Sequence, residues 1–276
     1  MKIIDSHQHF WAYDSQLYDW IDDSMEVLKR DFLPNDLKLI YQENNVDGCI
    51  AVQARTDFEE IDFLLHISHN HQFVKGVVGW LDFQHENFEE KLEFYVQQPQ
   101  LKGLRHVVQA EPIGFLDKKE FRNRLSWLEQ YNLVYDILIF PPQLEESIRL
   151  VKDFPNQIFV LDHIAKPYIK SGEIKQWEKD MRTLAQHDNI FCKVSGMVTE
   201  ADWKQWSYKD LRPYLDVVTS SFGSHRLLYG SDWPVCLLAA KYQEVIETPM
   251  KYFAKFTLNE RCDIFGKNAS KVYQLD

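Results

Sequence analysis

The chain has 276 residues, 45% of them hydrophobic, and 31 basic against 42 acidic side chains give a formal charge of −11. That length suits one large α/β unit or two small ones, with enough apolar material for a sizeable core. The acidic balance argues against nucleic acid and anionic membranes as partners, because both carry negative charge.

Charges of both signs are interspersed, so a folded chain is expected rather than a disordered one. The cysteines, Cys49, Cys192, Cys236 and Cys262, are far apart and form no C-x-x-C pair. They fit neither a disulfide framework nor a structural zinc site, and point to free thiols in a reducing cytoplasm. Ile3-Ile4 is cut at once by Asp5, so no signal peptide is read. No run nears the ~20 apolar residues of a membrane span.

In chain order, Ile3 and Ile4 begin a short strand that ends in His7 and His9. Residues i and i+2 of a strand share a face, so both imidazoles aim into one space. Trp11 to Phe32 reads as a long loop with a helical turn at Met25–Lys29. Pro34-Asn35-Asp36 opens a helix through Asn44, and Cys49–Val52 is a second strand. Phe58–His71 is helical, Val74–Trp80 a third strand, Phe88–Gln98 a helix and Leu101–Val107 a fourth strand. Lys118–Tyr131 is amphipathic. Leu133–Phe140 is a fifth strand, stopped by Pro141-Pro142, and Leu144–Asp153 a helix. Ile158–His163 and Ile190–Ser195 are the sixth and seventh strands, flanking a helix at Ile174–His187. Trp206–Phe222 contains a helix, and Arg226–Asp232 is an eighth strand. Beyond it the chain looks helical at Thr257–Phe265 and again near its end. The region after Lys241 either closes the fold or serves a homodimer.

Such β-then-α alternation without a visible linker argues for a parallel sheet. About eight units in this length make a (β/α)₈ TIM barrel, one domain over residues 1–276, the economical architecture. An open doubly wound sheet is the alternative, but no Gly-rich dinucleotide loop follows any strand.

Barrel active sites form at the C-terminal ends of the strands. His7, His9, Gln53, Trp80, Arg105, His106, His163, Lys193, Ser195 and Asp232 all fall there. Polar groups ending apolar strands are costly to bury without partners, and one shared rim would supply those partners. Imidazoles and a carboxylate can hold a divalent metal and activate water. They can also work without metal, with Asp232 as general base and imidazoles or Lys193 polarising a carbonyl. Glu59-Glu60 and Glu89-Glu90 read as exposed helix charges, and His66, His69 and His71 as solvated.

D-S-H-Q-H-F-W at 5–11, G-L-R-H at 103–106, L-D-H-I-A-K-P at 161–167, K-V-S-G at 193–196 and Y-G-S-D-W-P-V at 229–235 resemble the amidohydrolase superfamily. More narrowly, they are similar to its branch of sugar-lactone hydrolases of the L-fuconolactonase and L-rhamnonolactonase type. The resemblance implies a metallo-dependent-hydrolase-like barrel that opens a sugar-derived lactone to the aldonic acid. It implies His7, His9, His163 and Asp232 as catalytic residues, and as the ligands if a metal such as zinc or manganese is bound. By the same likeness Arg105, His106, Lys166 and Trp233 line or brace the pocket. The rim positions of Lys193 and Trp11 suggest substrate contact as well. The fifth strand ends in Ile139-Phe140-Pro141, which offers no ligand for a two-metal centre. Two alternatives stay open: a metal-dependent non-oxidative decarboxylase, and a catalytically silent barrel that binds a sugar acid. Few rim cations and several tryptophans favour a neutral sugar ring over a dicarboxylate.

Overall fold

The apolar runs become parallel strands, as their continuous hydrophobicity on both faces demands. A computed structural model describes residues 1–275. Its eight strands are hydrogen-bonded in sequence order: β1 (Ile4–Gln8), β2 (Gly48–Val52), β3 (Val74–Gly79), β4 (Leu101–His106), β5 (Val134–Ile137), β6 (Phe159–Leu161), β7 (Ile190–Val194) and β8 (Leu227–Tyr229). The seam between β1 and β8 is made by Ser6 Oγ donating to Tyr229 O at 2.6 Å and by backbone bonds just beyond β8. There Asp232 N donates to His7 O at 2.8 Å and His9 N to Trp233 O at 2.7 Å. The result is a nearly closed TIM barrel.

Helices α1 (Pro34–Asn44), α2 (Phe58–Asn70), α3 (Phe88–Tyr95), α4 (Lys119–Gln130), α5 (Leu144–Asp153), α6 (Lys175–Leu184) and α7 (Tyr208–Phe222) follow successive strands and cover the outside. Several expected strands are shorter than their apolar runs. β6 stops before His163 and β8 before Asp232, because both residues adopt left-handed backbone, at φ 51° and 58°, which cannot continue a ladder. One helix lay outside the sequence expectation: α8 (Tyr242–Tyr252), which carries Pro249 in its interior. The long loop after β1 forms as expected, with a 3₁₀ turn at Asp23–Leu28.

The interior divides into two levels. Ile4, Ile50, Val52, Val78, Val134, Val160, Phe191 and Leu228 fill the lower barrel. Against them pack Ala269, Val272 and Tyr273, from the helix Asn268–Val272 and the residue after it. The C-terminus therefore closes the lower mouth of the barrel. The upper level is polar.

Parity within β1 decides how the two levels coexist. Strict alternation would put Ile4 and His7 on opposite faces, yet both point inward. The pairing of β1 with β2 slips by one residue between Asp5 and Gln8. This bulge rephases the strand, as an extra unpaired residue does. Asp5 and Gln8 are left on the outer face, where Asp5 meets Tyr41 and Tyr242 and Gln8 meets Cys49.

Glu60 departs from expectation. Glu59 is exposed, but Glu60 is fully buried on α2. Its Oε1 accepts from the backbone N–H groups of Ala54 and Arg55, at 2.7 and 3.0 Å, fixing the segment after β2. Burial pushes its carboxyl up to about 8, against the lowering effect of those bonds. Native Glu60 then keeps its proton to about pH 8, whereas the unfolded group loses it near 4.5. Stability must fall as pH rises through that window. Glu60→Gln keeps the acceptor without the buried charge. Its unfolding free energy, measured in urea from about pH 5 to 8.5, is expected to decline less steeply than that of the wild type. Parallel slopes would refute the assignment.

Candidate active site

The bulge sends His7 and His9 into the upper barrel, where both are buried. Each ring is oriented through Nδ1. His9 Nδ1 lies 2.8 Å from Val52 O and must donate to it, since a carbonyl only accepts. His7 Nδ1 faces Asp162 Oδ1 at 3.2 Å. Both Nε2 atoms then present lone pairs, and they stand 3.2 Å apart.

His163 arrives from a strained turn. His163, Ile164, Ala165 and Lys166 have φ of 51°, 48°, 60° and 46°, four consecutive left-handed residues. Each costs roughly 1–2 kcal/mol for an L-residue, and β-branched Ile164 is the least suited. Lys166 N donates to His163 O at 2.8 Å and the Trp177 indole to Ile164 O at 2.8 Å, which hold the turn. The ring of His163 lies against Gly196, where an added Cβ would come within 2.5 Å of Nδ1. His163 Nδ1 is 2.9 Å from Ser195 Oγ, leaving Nε2 to face Asp232.

Asp232 completes the group. Its Oδ1 lies 3.4 Å from His9 Nε2, 3.8 Å from His163 Nε2 and 3.9 Å from His7 Nε2. Among the described residues, no lysine or arginine makes an ion pair with it. Burial pushes its carboxyl up, but His163, His9 and Lys166 overcome this and hold it below the usual range. Burial lowers His163 to about 4 despite the pull of Asp232, and lowers His7 well below the ordinary imidazole value. An ionised carboxylate thus sits beside two rings that are neutral at pH 7.

Within this set, the ligand atoms of His7, His9 and Asp232 lie close enough together to fit one divalent cation. Ligands about 2.0–2.1 Å from a tetrahedral ion lie roughly 3.3 Å from each other. The 3.2 Å His7–His9 and 3.4 Å His9–Asp232 separations match that spacing. The lone pair of His7 Nε2 is also approached by Arg105 Nη1, at 3.3 Å, beside the 3.2 Å contact with His9 Nε2. Each ligand ring also has its other nitrogen fixed, as metal-bound imidazoles do. A second grouping, His7, Asp162 and His163, also has suitable spacing, but it shares His7. Both oxygens of Asp162 are moreover already paired.

Asp162 anchors a buried charged layer. Its Oδ2 accepts from Arg105 Nη1 at 2.9 Å, and its Oδ1 lies 2.9 Å from Lys193 Nζ. Burial would raise this carboxyl, but Lys193, His7 and Arg105 hold it well below the usual range. Lys193 Nζ also donates to Asp136 Oδ2 at 2.5 Å. Arg105 Nε donates to Gln53 Oε1 at 2.9 Å, and Nη2 donates to the main-chain and side-chain oxygens of Gln53.

The contacts of the remaining expected residues differ among them. Arg105 and Lys193 are buried and their donors are committed to protein acceptors, so they brace the site. His106 follows inward-facing Arg105 on β4 and therefore points outward. It stacks on Phe115 at 4.6 Å, with Nε2 2.9 Å from Glu111 Oε1. Trp11 is fully buried among Tyr18, Trp20 and Phe32, and its indole N–H donates to Arg30 O. Lys166 and Trp233 keep free capacity. Lys166 has a loose partner, Glu200 Oε1 at 3.9 Å. Among the described residues, the buried indole N–H of Trp233 has no acceptor.

Sequence reasoning passed over Asp162, Asp136, Tyr273 and Glu111. A lone Asp in the apolar run V-Y-D-I was a visible signal for Asp136. Tyr273 carried none.

A family model described as amidohydrolase matches residues 4–275. The chain is 35% identical to an L-fucono-1,5-lactonase of Burkholderia multivorans over 284 residues, covering 99% of this chain and 96% of that protein. It is 24% identical to an L-rhamnono-gamma-lactonase of Scheffersomyces stipitis over 202 residues, covering 63% and 59%. A crystal structure of a Burkholderia multivorans amidohydrolase with bound zinc superposes with a TM-score of 0.95 at 36% identity, over 100% of both chains. A buried H-x-H pair, a third histidine and an aspartate on a (β/α)₈ frame, with these likenesses along the whole chain, place the protein in the amidohydrolase family.

Proposed function

We propose that this protein is a single-domain, cytoplasmic lactonase that opens a sugar-derived lactone, such as L-fucono- or L-rhamnonolactone, to its aldonic acid. The observation that carries the reading is the Asp232 carboxyl, without a lysine or arginine ion-pair partner among the described residues, set among the rings of His7, His9 and His163. The names of the two lactonase relatives support the substrate class. Four free cysteines suit a reducing compartment.

In this reading Asp232 takes a proton from water as the water oxygen attacks the lactone carbonyl carbon. The tetrahedral adduct collapses, the ring C–O bond breaks, and Asp232 returns its proton to the departing ring oxygen. Neutral His163 stays in place beside the carboxylate and excludes bulk water. Lys166 and the Trp233 indole, whose donors are not fully used, contact the carbonyl or the hydroxyls of the sugar. Arg105 and Lys193 hold His7 through Asp162. His7, His9, His163 and Asp232 would also hold one divalent ion, zinc or manganese, which when bound acidifies water and polarises a carbonyl. A silent sugar-acid binder gives no reason to bury an ionised carboxylate among imidazoles, and the named relatives favour hydrolysis over decarboxylation.

Proton release on a panel of L-fucono-, L-rhamnono- and L-galactonolactone is expected to show rapid hydrolysis of at least one. Silence across the panel would remove the lactonase reading. Asp232→Asn should lower kcat by at least about 100-fold, the usual contribution of a general base, with a wild-type melting temperature. A near-normal rate in that variant would take Asp232 out of the chemistry. Titration with zinc against a chromophoric chelator should give one ion per chain, and His9→Asn should weaken binding about 10-fold or more. Unchanged affinity would exclude His9 as a ligand.

A further inference from the structure

The plug that closes the lower barrel carries one polar group upward. Ala269 and Val272 meet the apolar lower level, and a phenylalanine at 273 would complete that packing. Instead Tyr273 extends a hydroxyl out of the apolar level, which is costly unless the hydroxyl finds a partner. It finds Asp136: the phenol oxygen lies 3.0 Å from both carboxylate oxygens. Asp136 Oδ2 accepts from Lys193 Nζ at 2.5 Å. The same ammonium lies 2.9 Å from Asp162 Oδ1, which faces His7 Nδ1 at 3.2 Å. The Tyr273 ring also faces Lys193 Nζ, 5.5 Å from its centroid. Every member of this chain is buried.

We propose that Tyr273 is a positioning residue of the active site: through Asp136, Lys193 and Asp162 it fixes the orientation of the His7 ring. The proposal rests on reading His7, His9, His163 and Asp232 as the reacting centre. Lys193 has two carboxylates within reach, and its place between them sets where Asp162 presents Oδ1 to His7. The phenol donates to Asp136 and keeps that carboxylate turned toward the ammonium. Without the hydroxyl, Asp136 keeps Lys193 as its remaining partner and can rotate, and the ammonium follows it. The C-terminal segment is then both the stopper of the barrel and the far end of the bracing that aims a candidate ligand.

Two variants of the full chain separate positioning from packing. Tyr273→Phe removes one oxygen and keeps the packed ring, so the fold is retained. Val272→Ala weakens the same plug without touching the polar chain. For each, kcat and KM on the best lactone, zinc affinity by chelator competition, and the melting temperature are measured. Tyr273→Phe is expected to lower kcat about 10-fold with KM within about two-fold, and to weaken zinc binding about 10-fold, the usual cost of losing a group that orients a ligand. Val272→Ala is expected to lower the melting temperature while kcat and zinc affinity stay at wild-type values. Wild-type kcat and zinc affinity in Tyr273→Phe would overturn the proposal. So would equal losses of both in Val272→Ala. Should the wild type hydrolyse no lactone, the lactonase reading fails by itself, and zinc affinity in Tyr273→Phe decides the role of the tyrosine.

Discussion

One carboxylate, that of Asp162, governs how the upper barrel is put together. It receives Arg105 from β4, Lys193 from β7 and the His7 ring from β1. A buried charge that loses its partner costs roughly 3–5 kcal/mol, so none of these contacts can be dropped alone. Arg105 extends the linkage to Gln53 after β2, and Lys193 extends it to Asp136 on β5. Strands from around the barrel are thereby held at fixed heights by side chains as well as by their ladders. The charged layer gives the rim a rigid floor, and the candidate ligands stand on that floor.

The charges of the layer balance. Arg105 and Lys193 offset Asp136 and Asp162, and Tyr273 and Gln53 take up remaining hydrogen-bonding capacity. Asp232, one level higher, stands outside this balance. It is surplus negative charge in a buried place, with imidazoles as its near partners. Such a surplus is tolerated when a cation or a proton in transit answers it. In the proposed mechanism, reactivity is concentrated at the point where the protein has left its own electrostatics unfinished. The backbone there is strained too: the left-handed run at 163–166 and the left-handed Asp232 are held by what surrounds them.

Much of this was legible before the fold was known. Alternation of apolar runs with helical patterns led to the barrel. His7, His9, His163 and Asp232 stood out because each ends an apolar run with a titratable group. What escaped had physical reasons. Asp136 sits inside an apolar strand, and its justification is an ammonium from β7. Tyr273 looked like one more aromatic in a C-terminal helix. Glu60 looked like its exposed neighbour, because a helix pattern does not reveal which acid turns toward a loop. For His106 the sequence held a usable clue to its outward direction: Arg105 and His106 are adjacent on a strand and cannot both face the interior. The same clue was hidden in β1, where Ile4 and His7 differ in parity and only a bulge reconciles them.

That bulge has a consequence for how such a protein can change over generations. Below it, Ile4 answers only to the space left by Val52, Leu228 and the C-terminal plug. Above it, His7 and His9 answer only to the chemistry of the rim. Because the slip in register separates the two demands, substitutions that refit the lower barrel need not re-aim the histidines. Rim variants that explore new substrates likewise leave the packing beneath undisturbed. A strand of five residues thus holds two independently adjustable modules, and a one-residue insertion or deletion between Asp5 and Gln8 would couple them again.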